Sequence, residues 1–208
     1  MGLLREFLAA PHLVLLLVMP LVYSVILHEV AHGWCALAFG DETAKRYGRL
    51  TLNPLAHFDL LGTLMLFVVG FGWAKPVPVN YAALRWTRVG SFCVALAGCA
   101  MNVLIAVAAI AVLQSSLVRA DSIASVTLQV LARVNIMLGA FNLIPIPPLD
   151  GSKVVMSFLP EPARRSLAGL ERFGFLLVIL LLYAGWLDPF IAFLERLIYG
   201  VIGILVQH

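Results

Sequence analysis

Charge is scarce in this chain. Asp, Glu, Lys and Arg make up 12 % of its 208 residues and apolar residues 62 %, with a mean hydropathy of +1.00. That composition lies well outside the range of soluble domains and leaves no room for a large one. Cysteine is scarce as well. Cys35, Cys93 and Cys99 are odd in number, show no C-x-x-C spacing and sit among apolar neighbours. This argues against a disulfide frame or a cysteine zinc cluster and leaves them as small packing residues. The formal charge of +3 is small and scattered, and without an aromatic-interleaved basic run it gives no support to nucleic-acid binding. Internal repeats and low-complexity tracts are missing too.

What is present in quantity is apolar chain. The stretches 12–27, 89–113 and 173–187 reach or approach the roughly 20 residues a helix needs to cross the hydrocarbon layer. The first is not taken as a signal peptide, because Arg5 is offset by Glu6 and the run leads into His28, Glu29 and His32 rather than a small-residue cleavage site. The expected fold is an all-α polytopic membrane protein with about five to six transmembrane helices. A small β-hairpin or re-entrant element is expected between the first and second core helices. One membrane-embedded domain is expected over 1–208, with a core of about 12–159 and additional C-terminal helices over about 163–206.

The first helix is expected from Pro11 to about Phe39, ended by Gly40 and Asp41. Later helices are expected over about 88–114, 124–142, 163–186 and 189–206, with loops at Ser115-Ser116, the proline run of 145–148 and Asp188-Pro189. Residues 44–53 are strand-compatible, and 75–80 alternate valine with proline as an edge strand does, so the two segments are expected to pair. Between them, 58–74 is apolar, glycine-bearing and marginally long for a span.

Basic residues cluster in three connections: Lys45, Arg46 and Arg49; Lys75, Arg85 and Arg88; Lys153, Arg164 and Arg165. If 58–74 enters the membrane and returns, all three lie on one side, which the positive-inside rule makes the cytoplasm. His28, His32 and Asp150 then meet near that side. If 58–74 crosses fully, Asp150 emerges opposite the histidines.

His28-Glu29-Val30-Ala31-His32 is an H-E-x-x-H pattern on an expected helix. The i, i+4 spacing sets both imidazoles on one face, suited to one zinc ion, with Glu29 beside that face to take a proton from a metal-activated water. Three ionisable side chains inside an apolar helix are costly unless they face a polar cavity. The bland alternative is a polar cluster satisfied by neighbouring helices. A catalytic zinc needs a third protein ligand and an open position. Asp150 is the choice, because Pro145, Pro147 and Pro148 forbid regular helix before it and leave backbone groups that a bilayer tolerates only around a cavity. Taken alone, Asp150 also fits a helix N-cap. His57 and Asp59 are the rival ligands.

These two motifs, His28-Glu29-x-x-His32-Gly33 and Asn142-x-x-Pro145-x-Pro147-Pro148-Leu149-Asp150-Gly151, resemble the signatures of the site-2 protease family of intramembrane zinc metalloproteases. The resemblance covers about 12–159. It implies that His28, His32 and Asp150 bind one zinc per chain, that Glu29 is the catalytic base and that the substrate is a membrane-spanning protein cut within its helix. A third family pattern, Gly-Pro-x-x-Asn, stands here as Gly98-Cys99-Ala100-Met101-Asn102, with Cys99 in place of proline. Asn102 is expected to bind substrate backbone or the oxyanion, or else to bond between packed helices. Asn142 is divided between orienting the substrate strand and bracing the proline loop, and His57 between a substrate-facing or regulatory role and none. Lys75–Asn80 is an extended edge that either holds unwound substrate by strand addition or caps the site.

The expected activity is hydrolysis of peptide bonds within transmembrane segments, with lipid and a membrane protein as partners and no nucleic acid. The expected location is the cell membrane, with the active site nearer the cytoplasmic side. Two rivals stand beside it: a metal or proton transporter or channel using the same residues, and a silent scaffold, against which the intact Glu29 argues. Control of cleavage falls to a partner, a prior cut or the hairpin region, and neither substrate nor oligomeric state is legible.

Overall fold

The computed structural model describes residues 11–62, 64 and 74–206. Its helices are α1 (Pro11–Ala38), α2 (Thr43–Arg46), α3 (Pro54–His57), α4 (Thr87–Gln114), α5 (Ile123–Asn142), α6 (Asp150–Phe158), α7 (Glu161–Gly169), α8 (Glu171–Tyr183) and α9 (Asp188–Val206), with one 3-10 turn at Tyr81–Ala83. Four of them are long and apolar enough to cross a membrane: Val18–Ala38 of α1, α4, α5 and α9. The α7–α8 pair makes a fifth if its two parts are one span, although they meet at a 63° bend. The chain is a multi-pass membrane protein.

Helix α4 is the centre, packing against α1, α5, α6 and α9. Between helices in lipid the hydrophobic drive is weak, so close approach rests on small residues and polar contacts. The α1–α4–α5 interior follows that rule, with Ala36, Ala95, Ala106, Ala132 and Ala140 all buried. A second layer of Ile136, Ile144, Val178, Leu194, Ile198 and Ile202 joins α5, α8 and α9 to it.

Two expectations need correction. The segment 163–186 is not one helix but α7 and α8, broken at Leu170. Glu161, Arg164, Arg165 and Ser166 make α7 the polar part of this bent pair, and Glu161 is paired with both arginines. Helix α8 is set by Gly174, where a Cβ would collide with the Pro147 carbonyl. The second correction is the β-hairpin. No strand occurs among the described residues, and 43–46 is a helical turn while 75–80 is extended without a ladder. Pro76 and Pro78 lack N–H groups, and side chains or loop carbonyls claim other donors of the segment. Lys75 N–H goes to the His57 carbonyl (2.9 Å), Val77 N–H to Glu29 Oε2 (2.9 Å) and Asn80 N–H to Asp41 Oδ2 (2.7 Å). The question of whether 58–74 is re-entrant falls mostly outside the described residues.

The segment 75–80 is therefore a strap pinned at both ends. Buried Arg49 holds its start through the Lys75 carbonyl at 2.6 Å. Asp41, 1 % exposed, holds its end while also accepting from the Thr43 N–H and hydroxyl. Burial works to raise the Asp41 carboxyl, but the bonds from Thr43 and Asn80 outweigh it and keep its pKa below the usual value.

Candidate metal centre

Helix α1 carries His28 and His32 one turn apart, and both are buried. The proline run stops α5 and turns the chain so that α6 opens on Asp150, which is 5 % exposed. Gly151 permits that turn, since a Cβ there would overlap the Leu143 carbonyl. Asp150 Oδ2 lies 3.0 Å from His28 Nε2 and 3.0 Å from His32 Nε2, and the two Nε2 atoms are 3.1 Å apart. No other group of three metal-ligating side chains occurs among the described residues. Gly98 of α4 lies directly beneath the pair, because a Cβ there would overlap both imidazoles.

Counting protons shows what this triangle is built to hold. His32 Nδ1–H donates to the Val94 carbonyl at 2.6 Å, and His28 Nδ1–H donates to Asn102 Oδ1 at 2.6 Å. A neutral imidazole has a single N–H, so both Nε2 atoms present lone pairs. Three acceptor atoms thus converge with no donor between them, which is an arrangement that calls for a cation. For tetrahedral zinc with ligands at about 2.0–2.1 Å, donor atoms stand roughly 3.3 Å apart, close to the separations seen. The residues fit the metal, and the backing of each histidine is the outer-shell pattern that orients metal ligands.

A cavity of about 120 Å³ opens beside the triangle, lined by Glu29, His32, Asp150, Lys153, Tyr81 and the strap residues Pro76, Val77 and Val79. Lys153 Nζ pairs with Asp150 Oδ1 at 3.1 Å, which leaves Oδ2 for the histidines. Burial works against the Lys153 ammonium, but the Asp150 carboxylate more than compensates and raises its pKa above the ordinary lysine value.

The structure places the remaining candidates away from the cavity. Asn102 is fully buried behind His28, with Oδ1 taken by that imidazole and Nδ2 donated to Asn135 Oδ1 at 2.8 Å. Asn142 Nδ2 donates back to the Leu138 carbonyl of its own helix at 3.0 Å. His57 is buried at the end of α3, where its carbonyl accepts from the first N–H of the strap, and its Nε2 is bonded to the Thr51 carbonyl at 2.8 Å. Asp59 accepts from the Gly62 N–H. Sequence reasoning passed over Lys153 as a site residue, as well as Tyr81, Asn135 and Ser24. For Asn135 and Ser24 the available signal was a polar side chain in a membrane span.

Two histidines and one carboxylate with a glutamate alongside are a donor set that suits a zinc peptidase centre. Comparison with known proteins shows the family. The model of Peptidase family M50 matches residues 116–182. The chain is 36 % identical over 176 residues to YwhC of Bacillus subtilis, named as a zinc metalloprotease, covering 79 % of this chain and 78 % of that protein. It is 32 % identical over 163 residues to Rip2 of Mycolicibacterium smegmatis, likewise named, covering 76 % of this chain and 63 % of the relative. Against Rip2 of Mycobacterium tuberculosis strain H37Rv the identity is 30 % over 171 residues, covering 78 % and 66 %. The chain thus spans slightly under two thirds of these mycobacterial relatives. No solved structure matches it significantly. The chain belongs to the M50, or site-2 protease, family of zinc metalloproteases.

Proposed function

We propose that this protein cuts peptide bonds within the membrane-spanning segments of other proteins, with His28, His32 and Asp150 holding one zinc ion and Glu29 acting as general base. The observation that carries the proposal is the triangle of lone-pair atoms at the mouth of a Glu29-lined cavity, with both histidines lying within the α1 span.

Zinc, when bound, supplies a Lewis acid that polarises a carbonyl and brings the pKa of water towards neutrality. Glu29 takes the proton of the attacking water and delivers it to the leaving amine nitrogen, so the base ends the cycle as it began. One Glu29 oxygen is held by the Val77 N–H; the other has no protein partner among the described residues and is free for the water. Lys153, in the same cavity, sets a positive charge where negative charge builds on the carbonyl oxygen. Of the two roles open to Asn102, support of His28 between packed helices is favoured over substrate contact, since both ends of its amide are engaged. A helix about 10 Å across does not fit this cavity, so the substrate enters unwound.

The three basic regions support a single cytoplasmic face for the site. Arg49 from the first is bonded to the backbone of Lys75 from the second, and Lys153 from the third is paired with Asp150. Water and the unwound segment reach the site from that side, within one membrane-embedded unit. The test is cleavage of a model transmembrane substrate by purified protein in detergent, wild type beside Glu29→Gln, with zinc measured in both. Cleavage by the wild type alone, with about one zinc per chain in each (the stoichiometry of a single three-ligand site), is the expected result. Zinc in both and cleavage of no substrate favours the transport reading.

A further inference from the structure

Behind His28, away from the cavity, a line of polar side chains runs through three membrane-spanning helices. Ser24 of α1, Asn102 of α4 and Asn135 of α5 are each at most 1 % exposed. Asn102 Nδ2 donates to Asn135 Oδ1 (2.8 Å), Asn135 Nδ2 donates to Ser24 Oγ (2.7 Å) and to the Leu131 carbonyl (2.8 Å), and Ser24 Oγ donates to the Pro20 carbonyl (2.6 Å). Every side-chain polar atom in the line is matched.

The line also has a direction, set at its far end. Backbone carbonyls only accept, so the Asn135 group facing Leu131 is its NH2, and its oxygen faces Asn102. The Asn102 group facing that oxygen is then its NH2, which turns the Asn102 oxygen to His28. His28 in turn carries its proton on Nδ1 and its lone pair on Nε2, toward Asp150 and His32. Reversing the Asn102 amide would set an NH2 against Nδ1 and drive the imidazole proton onto Nε2, where the cation belongs. His32 is fixed more simply, by the single carbonyl of Val94.

We infer that Asn135, anchored by Ser24 and the Leu131 carbonyl, is a positioning residue of the metal centre that fixes the tautomer of His28 by orienting the amide of Asn102. The inference rests on the zinc reading above. Outer-shell partners of metal ligands typically change metal affinity or activity about 10–100-fold, and Asn135 acts at one remove from such a partner.

The test measures zinc dissociation by chelator competition and the visible spectrum of the cobalt-substituted protein, using the full chain in detergent. Asn135→Leu is expected to weaken zinc about 10-fold or more and to alter the cobalt spectrum. Asn135→Asp keeps an acceptor for Asn102 and is expected to hold zinc more tightly than the leucine variant. Because Asn135 works through Asn102, the Asn102→Leu, Asn135→Leu double variant should be no weaker than Asn102→Leu alone. If Asn135→Leu does not fold, as shown by melting of the metal-free protein, Ser24→Ala takes its place as the milder form of the same loss, expected to weaken zinc and alter the cobalt spectrum relative to wild type. Wild-type zinc affinity and cobalt spectrum in Asn135→Leu (or in Ser24→Ala where it takes its place), or fully additive losses in the double variant, overturn the inference while leaving the zinc reading intact. A wild type that binds no zinc overturns both.

Discussion

The two walls of the metal centre are built differently. The rear wall, Gly98, Asn102, Asn135 and Ser24, lies inside the spans with each member buried, and its three polar members are joined side chain to side chain. The front wall is the strap of 75–80, attached to Glu29 and Asp41 through its own backbone N–H groups. A rear wall in hydrocarbon has no water to replace a lost bond, so its geometry is fixed when the helices pack. The front wall lines the cavity, and its bonds can be exchanged for bonds to water or to an extended peptide. On the proposed function, the centre is thus fully bonded where it would hold the metal and open to exchange where substrate would enter.

That contrast is broken most severely at Gly98. Gly98→Ala pushes a methyl into both imidazoles and should cost zinc affinity and activity about 100-fold or more, at or beyond the upper range for disturbed ligand orientation. Gly139→Ala in α5 is the control, since its Cβ would make only ordinary contacts, with Ile198 Cδ1 at 3.4 Å, Asn102 Cβ at 3.7 Å and the Cys99 carbonyl at 4.0 Å, and it should leave both near wild type. Equal losses in the two variants would mean that helix packing in general, not the rear wall, is being measured. On the front wall, Val77→Pro removes the N–H that holds Glu29. A hydrogen bond to a charged group contributes about 1.5–3 kcal/mol, so turnover should fall about 10–100-fold while zinc affinity is retained. Zinc loss in this variant would show that the walls are not independent.

The smallest effect is expected at Asp41, which ties down the end of the strap. Asp41→Asn should lower the stability of the metal-free protein by about 1–3 kcal/mol at neutral pH. The Asp41 pKa is depressed in the folded protein. Its contribution is therefore complete above the unfolded value near ~3.9 and is lost as pH falls through the folded value. Melting curves of the two proteins should converge on acidification below about pH 4; a gap that stays constant would remove Asp41 as the titrating anchor.

The rear and front walls also differ in how far the sequence disclosed them. His28, Glu29, His32 and Asp150 were legible because helical spacing and a proline-broken span are local patterns. The spans were legible from hydropathy, and the bounds expected for the helices after 88 lie close to those observed, apart from the break at Leu170. There the charged residues of 161–172 had marked chain unsuited to a span. The hairpin was misread because strand alternation says nothing about distant acceptors, and Glu29 and Asp41, 48 and 39 residues away, take the donors of Val77 and Asn80. Asn102 was found by its motif, and of the two roles open to it, substrate contact or a bond between packed helices, its bonds to His28 and Asn135 fit the second. Asn135 belongs to no motif, and only the packing of α5 against α4 and α1 gives it its side-chain partners, Asn102 and Ser24.

The central claim is that peptide bonds are cut inside the membrane by this zinc centre. Its most direct test is mass spectrometry of the products from a transmembrane substrate reconstituted in vesicles with the protein, before and after zinc removal by a chelator and again after zinc is restored. The account predicts new termini within the apolar span of the substrate that vanish with the metal and return with it. Cuts confined to the aqueous flanks, or intramembrane cuts that persist without zinc, would contradict it.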